Sequence, residues 1–238
     1  MVGVGPGAAD DRTHRAEKAI AQSRVVVGYG PYLESIKDLL GDRETIASGM
    51  GQEVQRCRLA LERVAAGETV SLISSGDSGM YGMAGLAIEL AVAERISVPV
   101  EIIPGVTAAS SAAAALGAPL MLDFAAISLS DLLVPWEEIG KRLEAVAAAD
   151  LVVALYNPRS KKRVRQLELA VEIFRRHRRV DTPVGVVTLA GHSDQTVVVT
   201  DLGHLLEQEV GMRSIVIVAN SAAKLLDGWL VTSRGYSI

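Results

Sequence analysis

Short apolar segments alternate with amphipathic segments along the first half of the chain. Three runs are continuous, apolar and mostly β-branched or Leu, which is typical of buried strands in a parallel sheet. They cover residues 24–29, 69–74 and 99–104. The segments beside them are rich in helix formers, with apolar residues at helical spacing. These predicted helices cover residues 13–23, 51–67 and 83–94, the second ending at a helix-terminating glycine, Gly67.

A second alternating set begins near Phe124. It predicts strands at residues 124–128, 151–156, 183–187, 195–200 and 214–219, with helices over residues 135–148, up to about residue 177, and before the last strand. The third and fourth of these strands lie too close together for a helical crossover, so the second sheet is predicted to be mixed. A Gly- and Pro-marked connection separates the two sets. The chain is therefore predicted to hold two α/β domains, residues 1–117 with a mostly parallel sheet and residues 118–238 with a mixed one.

The composition of the chain bears on its partners and its location. The 238 residues carry a formal net charge of −4, which argues against a nucleic-acid partner. Cys57 is the only cysteine, so no intrachain disulfide can form, and a cytoplasmic location is expected. The uncharged stretch at residues 102–122 has the length of a membrane span. Pro104, Gly105 and Pro119 interrupt it, so a turn and a buried small-residue helix are predicted instead, and no membrane contact is expected.

Three turns of small residues follow predicted strands in the first half. They are residues 3–7 (GVGPG), residues 74–79 (SSGDSG) and residues 104–113 (PGVTAASSAA), in which Thr107 is a plausible helix N-cap. Carboxyl ends of parallel strands meet at one edge of a sheet, where ligands bind in open α/β folds. Glycines there permit positive φ angles and close approach by a ligand. The three turns therefore predict a binding crevice.

Two familiar motif matches do not fit this context. Residues 76–79 (GDSG) match the letters around the nucleophile of trypsin-like proteases, but they follow a buried strand in an α/β alternation and only His14 precedes them. Residues 3–8 satisfy the dinucleotide pattern, but Pro6 interrupts the turn and no acidic residue ends the next predicted strand. Neither peptide cleavage nor nicotinamide chemistry is expected.

Five ordered motifs resemble the tetrapyrrole (corrin-type) class of S-adenosylmethionine-dependent methyltransferases, and together they span nearly the whole chain. They are GVGPG, SSGDSGMYGMAG, IPGVTAASSAAAALGAPL, FAAISLSDLLVPW and VVALYNPRSKKR. The last two resemble the narrower branch that methylates C17 of precorrin-3B or cobalt-precorrin-3, with ring contraction, in cobalamin biosynthesis. The resemblance implies an S-adenosylmethionine-dependent C-methyltransferase with its ligand cleft between two α/β domains, a tetrapyrrole substrate and a homodimer.

Other readings remain open at this point. An enzyme of the same class could act at another corrin position, or on a different substrate such as rRNA or a diphthine precursor. A non-catalytic tetrapyrrole-binding protein would share the same motifs.

The resemblance assigns cofactor binding to nine residues, which lie in the first turn, the GD loop, the PGVTA turn and the second half of the chain. These are Pro6, Ser75, Gly76, Asp77, Met80, Thr107, Ala108, Asn157 and Ala190. Pro6 belongs to a turn that in this class lies nearer the tetrapyrrole. Many relatives carry an acidic residue directly after GPG, whereas here Ala8 and Ala9 precede Asp10 and Asp11.

Positive charge is concentrated at residues 159–179, which contain nine Arg or Lys residues against two Glu residues. Four of the cations precede a predicted helix, near its positive end, where the helix dipole disfavours them. They are Arg159, Lys161, Lys162 and Arg163, and we predict that they bind the carboxylates of a tetrapyrrole. The alternative is a solvated basic face.

Ring contraction requires proton transfer. Ser130, Asp131 and His192 are the polar candidates for it in the matching segments, and each could equally be structural. No protein-bound metal is expected, because the four histidines and one cysteine show no metal-ligand spacing.

Overall fold

The computed structural model describes residues 1–236 of the chain. They divide into two compact units, Met1–Ala108 and a second unit that begins at Ala109. Both units are α/β. All of the predicted strands form except the one at residues 99–104.

The first unit is built on four strands. They are β1 (Val2–Gly3), β2 (Val25–Tyr29), β3 (Glu44–Ser48) and β4 (Val70–Ser74). The order is β1–β4–β2–β3, and all neighbouring pairs are parallel. Its helices are α1 (His14–Gln22), α2 (Gly30–Glu34), α3 (Lys37–Leu40), α4 (Glu53–Ala65) and α5 (Ala84–Ala93), with a 3-10 helix at Ala9–Asp11. The predicted parallel sheet of the first half is confirmed.

Local chemistry explains where these helices begin and end. The Thr13 hydroxyl accepts a hydrogen bond from the Ala16 N–H and caps α1, which buries Ala16 and Ile20 against the sheet. After α4, Gly67 adopts a φ of +88° and its N–H donates to the Val64 carbonyl, so the glycine stops the helix where the sequence predicts.

The strand predicted at residues 99–104 does not form. Ile103 makes a single parallel bridge to Val2, and the rest of the segment is irregular. The reason is the length of β1: two residues offer too little backbone for a further ladder. The segment still delivers the PGVTA turn to the carboxyl edge of the sheet.

A cavity of about 430 Å³ lies in the first unit, beside the amino-terminal ends of β1 and β4. The Cys57 side chain lines it from α4, and the residue is fully buried, among Val25, Val27 and Leu72. Burial raises the pKa of the Cys57 thiol to about 11, because the thiolate would lose its hydration. The cavity wall therefore carries a neutral, unreactive thiol.

We expect native protein at pH 8 to resist a thiol-specific disulfide reagent. Cys57 stays almost entirely protonated there, and it is the thiolate that attacks. In guanidinium chloride the thiol regains an ordinary pKa of about 8.5, so one equivalent should react within minutes. Rapid stoichiometric labelling of the native protein would contradict the buried position.

The described residues of the second unit hold eight strands. They are β5 (Gly117–Ala118), β6 (Phe124–Ser128), β7 (Val152–Tyr156), β8 (Pro183–Thr188), β9 (Thr196–Asp201), β10 (Ser214–Val218), β11 (Ala223–Leu226) and β12 (Trp229–Thr232). Its helices are α6 (Ala108–Leu116, whose first residue closes the first unit), α7 (Trp136–Ala148) and α8 (Arg165–Arg175), with a 3-10 helix at Leu205–Glu207.

These strands form one large mixed sheet and one small sheet. The large sheet has the order β6–β7–β10–β8–β9, in which β6 and β7 are parallel and β10 runs antiparallel to β7 and to β8. The small sheet has the order β11–β12–β5. The mixed sheet predicted for the second half is confirmed. Because β6, β7 and β8 run in one direction, their carboxyl ends share an edge, and the loops that follow them lie together.

The unit boundary falls earlier than residue 118, the boundary predicted from sequence. The packing of α6 accounts for this. A Cβ placed on Gly185 of β8 would lie only 2.2 Å from the Leu116 Cδ1, so the helix sits directly on the second sheet. The Ala109 N–H also donates to the Tyr156 hydroxyl at 3.0 Å, which ties the start of the helix to the end of β7.

Candidate functional site

Three loops meet at the carboxyl edge of the first sheet. The GPG turn follows β1, the GD loop (residues 75–80) follows β4, and the PGVTA turn (residues 104–108) follows Ile103. Gly5 and Gly76 exchange two backbone hydrogen bonds, of 3.0 and 2.7 Å. The Gly3 N–H donates to the Ile103 carbonyl at 2.9 Å. The structure thus brings together the three small-residue turns that the sequence singled out.

Glycine is required where these loops cross. A Cβ on Gly105 would lie 2.2 Å from the Gly76 carbonyl oxygen and 2.7 Å from the Gly3 carbonyl carbon. Both neighbours are backbone atoms, which cannot rotate away as a side chain could. We call this crossing of Gly3, Gly76 and Gly105 the glycine contact. Gly76 itself has a φ of +62°, a conformation that glycine adopts without steric cost.

The Asp77 carboxylate holds two of these loops in register. Its Oδ1 accepts from the N–H groups of Gly79 (2.8 Å) and Met80 (3.0 Å), and its Oδ2 accepts from the Gly105 N–H (3.0 Å). Hydrogen bonds to an ionised acceptor are stronger than neutral ones. Asp77 therefore acts on the shape of the GD loop and on its attachment to the PGVTA turn.

The other predicted cofactor residues of this unit lie around the same loops. The Thr107 hydroxyl donates to the Met80 Sδ at 3.1 Å, which joins the far end of the GD loop to the residue that precedes α6. Ser75 and Ala108 are partly exposed, whereas Pro6 is buried in the first turn. Ser78, not predicted as a site residue, is buried and its hydroxyl donates to the Ile103 carbonyl at 3.2 Å.

Arg56 is a buried cation at the same edge, and it was not among the residues predicted from the sequence. It is 3% exposed and donates to the Ser48 hydroxyl (2.5 Å) and the Gly49 carbonyl (2.7 Å). Its guanidinium also lies 5.8 Å from the centre of the Tyr29 ring. An arginine on the apolar face of α4, next to Cys57, is the signal that could have revealed it, because cations are seldom fully buried.

The second unit presents its own cluster at the shared carboxyl edge of β6, β7 and β8. Asn157, directly after β7, has a φ of +48° and donates from Nδ2 to the Ser128 hydroxyl at 3.0 Å. The same hydroxyl accepts from the Ser130 N–H at 3.2 Å. Ser128 thus links two predicted site residues and was itself missed, although it ends the strand just before them.

Arg163 is a structural anchor within this cluster. Its Nη2 donates to the Asn157 carbonyl at 2.7 Å and its Nη1 donates to the Ser130 hydroxyl at 3.3 Å. The guanidinium thereby joins the loop after β7 to the loop after β6. The sequence predicts Arg163 as one of four cations that contact the substrate; in the structure its side chain is partly buried and donates these two hydrogen bonds.

The remaining cations of the basic loop are placed differently. Lys161 and Lys162 are exposed and Arg159 is partly exposed, in the loop before α8. Within residues 1–236, none of the three has a carboxylate partner within 4.0 Å. Unpaired cations near the positive end of a helix are available to an incoming anion.

The three candidates for proton transfer do not form a hydrogen-bonded set. The Ser130 hydroxyl accepts from Arg163, and the Asp131 Oδ2 accepts from the Gln166 Nε2 at 2.6 Å. His192 is exposed in the loop after β8. No hydrogen bond between their side chains occurs in the described part of the chain, so the geometry selects no acid or base among them.

The loop after β8 is held in a strained shape. Leu189 has a φ of +56°, which is uncommon for a residue with a bulky side chain. Its N–H donates to the Arg213 carbonyl (3.0 Å) and its carbonyl accepts from the His192 N–H (2.9 Å). Ala190, which follows it, is 6% exposed. Such strain persists only where the surroundings impose it, and it is common at functional edges.

Metal binding and membrane insertion are two other classes of function on which the structure bears. Across residues 1–236, no group of three or more His, Cys, Asp and Glu side chains is arranged to hold a metal ion. In the same described range, none of the helices has the length and apolar character needed to cross a membrane.

Known sequences resemble this chain along its length. Residues 1–206 match the family described as Tetrapyrrole (Corrin/Porphyrin) Methylases. A probable cobalt-factor III C(17)-methyltransferase of Salmonella typhimurium is 44% identical and covers 100% of this chain and 99% of its own. A precorrin-3B C(17)-methyltransferase of Sinorhizobium is 40% identical over 95% of this chain and 90% of its own. A cobalt-factor III methyltransferase of Priestia megaterium is 45% identical over 99% of this chain, which spans only 44% of that protein.

Solved structures agree with these matches. The methyltransferase CobJ has a TM-score of 0.92 and 35% identity over 98% of both chains. A uroporphyrin-III C-methyl transferase from Thermus thermophilus, complexed with S-adenyl homocysteine, has a TM-score of 0.70 and 26% identity over 92% of this chain and 95% of its own. The two-domain α/β fold and the resemblance stated from the motifs are thus confirmed: the chain belongs to the tetrapyrrole (corrin/porphyrin) methylase family and is a methyltransferase.

Proposed function

We propose that the protein transfers a methyl group from S-adenosylmethionine to C17 of a tetrapyrrole, cobalt-factor III or precorrin-3B, in cobalamin biosynthesis, with contraction of the ring. The observation that carries the proposal is the 44% identity to the protein named as a probable cobalt-factor III C(17)-methyltransferase, over 100% of this chain and 99% of that one. Relatives at 44–45% identity are named for cobalt-factor III and one at 40% for precorrin-3B. Cobalt-factor III is therefore the first substrate to test.

The cofactor fits the loops of the first unit on steric and chemical grounds. A Cβ on Gly76 would make only ordinary van der Waals contacts, at 3.8 Å or more, and Gly79 and Met80 at the end of the GD loop are exposed, so a ligand can approach the loop. The loops around it carry small side chains, which leave peptide groups within reach of a polar ligand. We assign the S-adenosylmethionine contacts to Ser75, Gly76, Met80, Thr107 and Ala108, with Pro6, Asn157 and Ala190 as further members. Asp77 contributes by holding the GD loop in shape.

S-adenosylmethionine supplies a methyl group already activated on a sulfonium sulfur. What remains for the chain is to position the acceptor carbon and to exclude competing water, and correct placement alone can supply much of the acceleration. Rigid loops at the carboxyl edges of the two sheets suit that role. Arg159, Lys161 and Lys162 would take carboxylates at the rim of the tetrapyrrole, with Arg163 holding their loop in place.

The test is a reaction with isotopically labelled cofactor. Purified protein is incubated with S-adenosylmethionine carrying a labelled methyl group and with cobalt-factor III, or in parallel with precorrin-3B. The product is followed by mass spectrometry and absorbance, and the methylated position by NMR. Tight tetrapyrrole binding without label transfer would identify a non-catalytic binding protein, and label at another carbon would identify a sister activity.

A second prediction concerns the exposed lysines. We expect Lys161→Glu together with Lys162→Glu to weaken tetrapyrrole binding at least tenfold at low salt, because each exposed ion pair contributes up to about 1 kcal/mol and reversal adds repulsion. The difference should shrink at high ionic strength, as screening predicts. The affinity for S-adenosylhomocysteine should stay within twofold. Unchanged tetrapyrrole binding at low salt would identify the loop as a solvated basic face.

We also propose that the protein is a cytoplasmic homodimer. The hairpin formed by β11 and β12 supports an association between copies, because Leu225, Leu226 and Trp229 are about half exposed on it. A fully buried Cys57 as the only cysteine suits a reducing compartment. Light scattering at micromolar concentration tests the assembly, and a monomer mass would contradict it.

A further inference from the structure

Two consecutive leucines project from the loop after β6. Leu132 is 83% exposed and Leu133 is 91% exposed. Their neighbours behave differently: Val134 and Trp136, one and three residues after Leu133, are partly buried and pack against the core of the second unit. The apolar run at residues 132–136 is therefore divided, with one part folded inward and the leucine pair left in water. Exposing two large apolar side chains side by side is unfavourable unless something covers them.

The leucine pair is held in place by its anchored neighbours. Asp131 accepts from Gln166 at 2.6 Å, and the Ser130 hydroxyl accepts from Arg163 at 3.3 Å. Both bonds join the loop after β6 to the start of α8. The leucines immediately follow these two residues in a turn. The position of the leucines on the surface is therefore fixed by polar contacts of the two residues that precede them.

The same contacts place the leucines beside positive charge. Arg163, which holds Ser130, ends the loop that carries Lys161 and Lys162. Both lysines are exposed and, within the described residues, without a carboxylate partner. The surface at residues 130–133 and 159–163 thus combines an exposed apolar pair with adjacent unpaired cations. We name it the leucine–lysine surface.

We propose that the leucine–lysine surface is the specificity-determining contact for the macrocycle: Leu132 and Leu133 cover part of its flat apolar face, and Lys161 and Lys162 bind carboxylates on its rim. A tetrapyrrole with acidic side chains has this combination of a broad apolar face and a negatively charged edge. The leucine–lysine surface offers the complementary apolar and positive groups. The inference deepens the proposed function, on which it rests, by naming the residues that recognise the ring itself.

The experiment compares Leu132→Ser with Leu133→Ser, singly and together, against wild type. Binding of cobalt-factor III is followed by difference absorbance, and binding of S-adenosylhomocysteine by calorimetry. We expect the double variant to raise the Kd for cobalt-factor III about tenfold, with the cofactor Kd and the melting temperature unchanged. High salt should not erase this loss, which separates it from the effect of the lysine variants.

Val92→Ser is the matched control, because Val92 is 74% exposed on α5, away from the leucine–lysine surface. It should leave both affinities unchanged. Wild-type affinity for cobalt-factor III in the double leucine variant would overturn the inference and leave the proposed function standing. A fall in mass by light scattering, with tetrapyrrole affinity intact, would overturn it in favour of an interface between two copies. If wild type binds neither cobalt-factor III nor precorrin-3B, the proposed function fails first.

Discussion

Gly105→Ala is expected to destabilise the protein by about 3 kcal/mol and to abolish measurable binding of S-adenosylhomocysteine. The added methyl carbon would lie 2.2 Å from the Gly76 carbonyl oxygen and 2.7 Å from the Gly3 carbonyl carbon. Relief requires one of the three loops to move, and such a movement would break the hydrogen bond from the Gly105 N–H to Asp77. Thermal unfolding and calorimetry with S-adenosylhomocysteine measure the two effects.

Gly85→Ala is the control for this variant. A Cβ on Gly85 meets no atom within 4 Å, and the residue lies inside α5. Alanine is favoured over glycine in a helix by roughly 0.5–1 kcal/mol, so this variant should be slightly more stable than wild type and should bind the cofactor normally. A Gly105→Ala protein with the melting temperature and affinity of wild type would show that the glycine contact is not as tight as the structure places it.

Arg163→Ala is expected to lower the free energy of unfolding by about 2 kcal/mol and to reduce methyl transfer at least tenfold. The substitution leaves the Asn157 carbonyl and the Ser130 hydroxyl without the donor that joins their loops. Arg163→Lys should recover little of either property, because a single ammonium cannot span two acceptors as a guanidinium does. Unfolding is followed by circular dichroism and methyl transfer by mass spectrometry.

Lys161→Ala is the control for Arg163→Ala, because it removes an exposed cation of the same loop and leaves the anchoring arginine in place. Its stability should stay within about 0.5 kcal/mol of wild type, since Lys161 is exposed and forms no ion pair with the described residues. Equal stability losses in the two variants would contradict the anchoring role of Arg163. A normal melting temperature for Arg163→Ala, with weakened tetrapyrrole binding alone, would restore the substrate contact predicted from sequence.

Much of the fold could be predicted because its central strands are continuous apolar runs. β2, β4, β7, β8 and β10 are nearly all buried, and period and length identify them. β3 was missed because it is an edge strand with only a partly buried pattern and so carries no apolar run. β11 was missed for the same reason, since it is an edge strand and largely exposed, and β12 was missed because its four residues are too short an alternation to identify. The segment before Gly105 was predicted as a strand from its apolar composition. That composition does not reveal that its partner, β1, has only two residues.

The candidate site was predictable where backbone chemistry decides it. Glycines after strands identified the loops that form the glycine contact, because such turns need residues without side chains. The role of an individual side chain depends on partners that are distant in sequence, and a single sequence does not show which residues those partners are. From the sequence, Arg163 was one of four cations with the same predicted role. In the structure it is Arg163 that donates a hydrogen bond to Ser130, thirty-three residues away along the chain. The exposure of Leu132 and Leu133 could not be predicted either, since the sequence of an apolar run does not determine which of its side chains are buried.

The glycine contact also has an entropic consequence. Backbone hydrogen bonds between Gly5 and Gly76, and the bond from the Gly105 N–H to the Asp77 carboxylate, hold the loops in one conformation without help from a ligand. A flexible site loses about 0.5–1.5 kcal/mol for each rotamer-rich side chain that binding immobilises. Loops rich in glycine, serine and alanine, already tied to each other, have little such freedom to lose, and Met80 is their one long flexible side chain. When a ligand binds at this edge of the sheet, the entropy lost is therefore mainly that of the ligand itself. Few direct contacts are then needed to hold it.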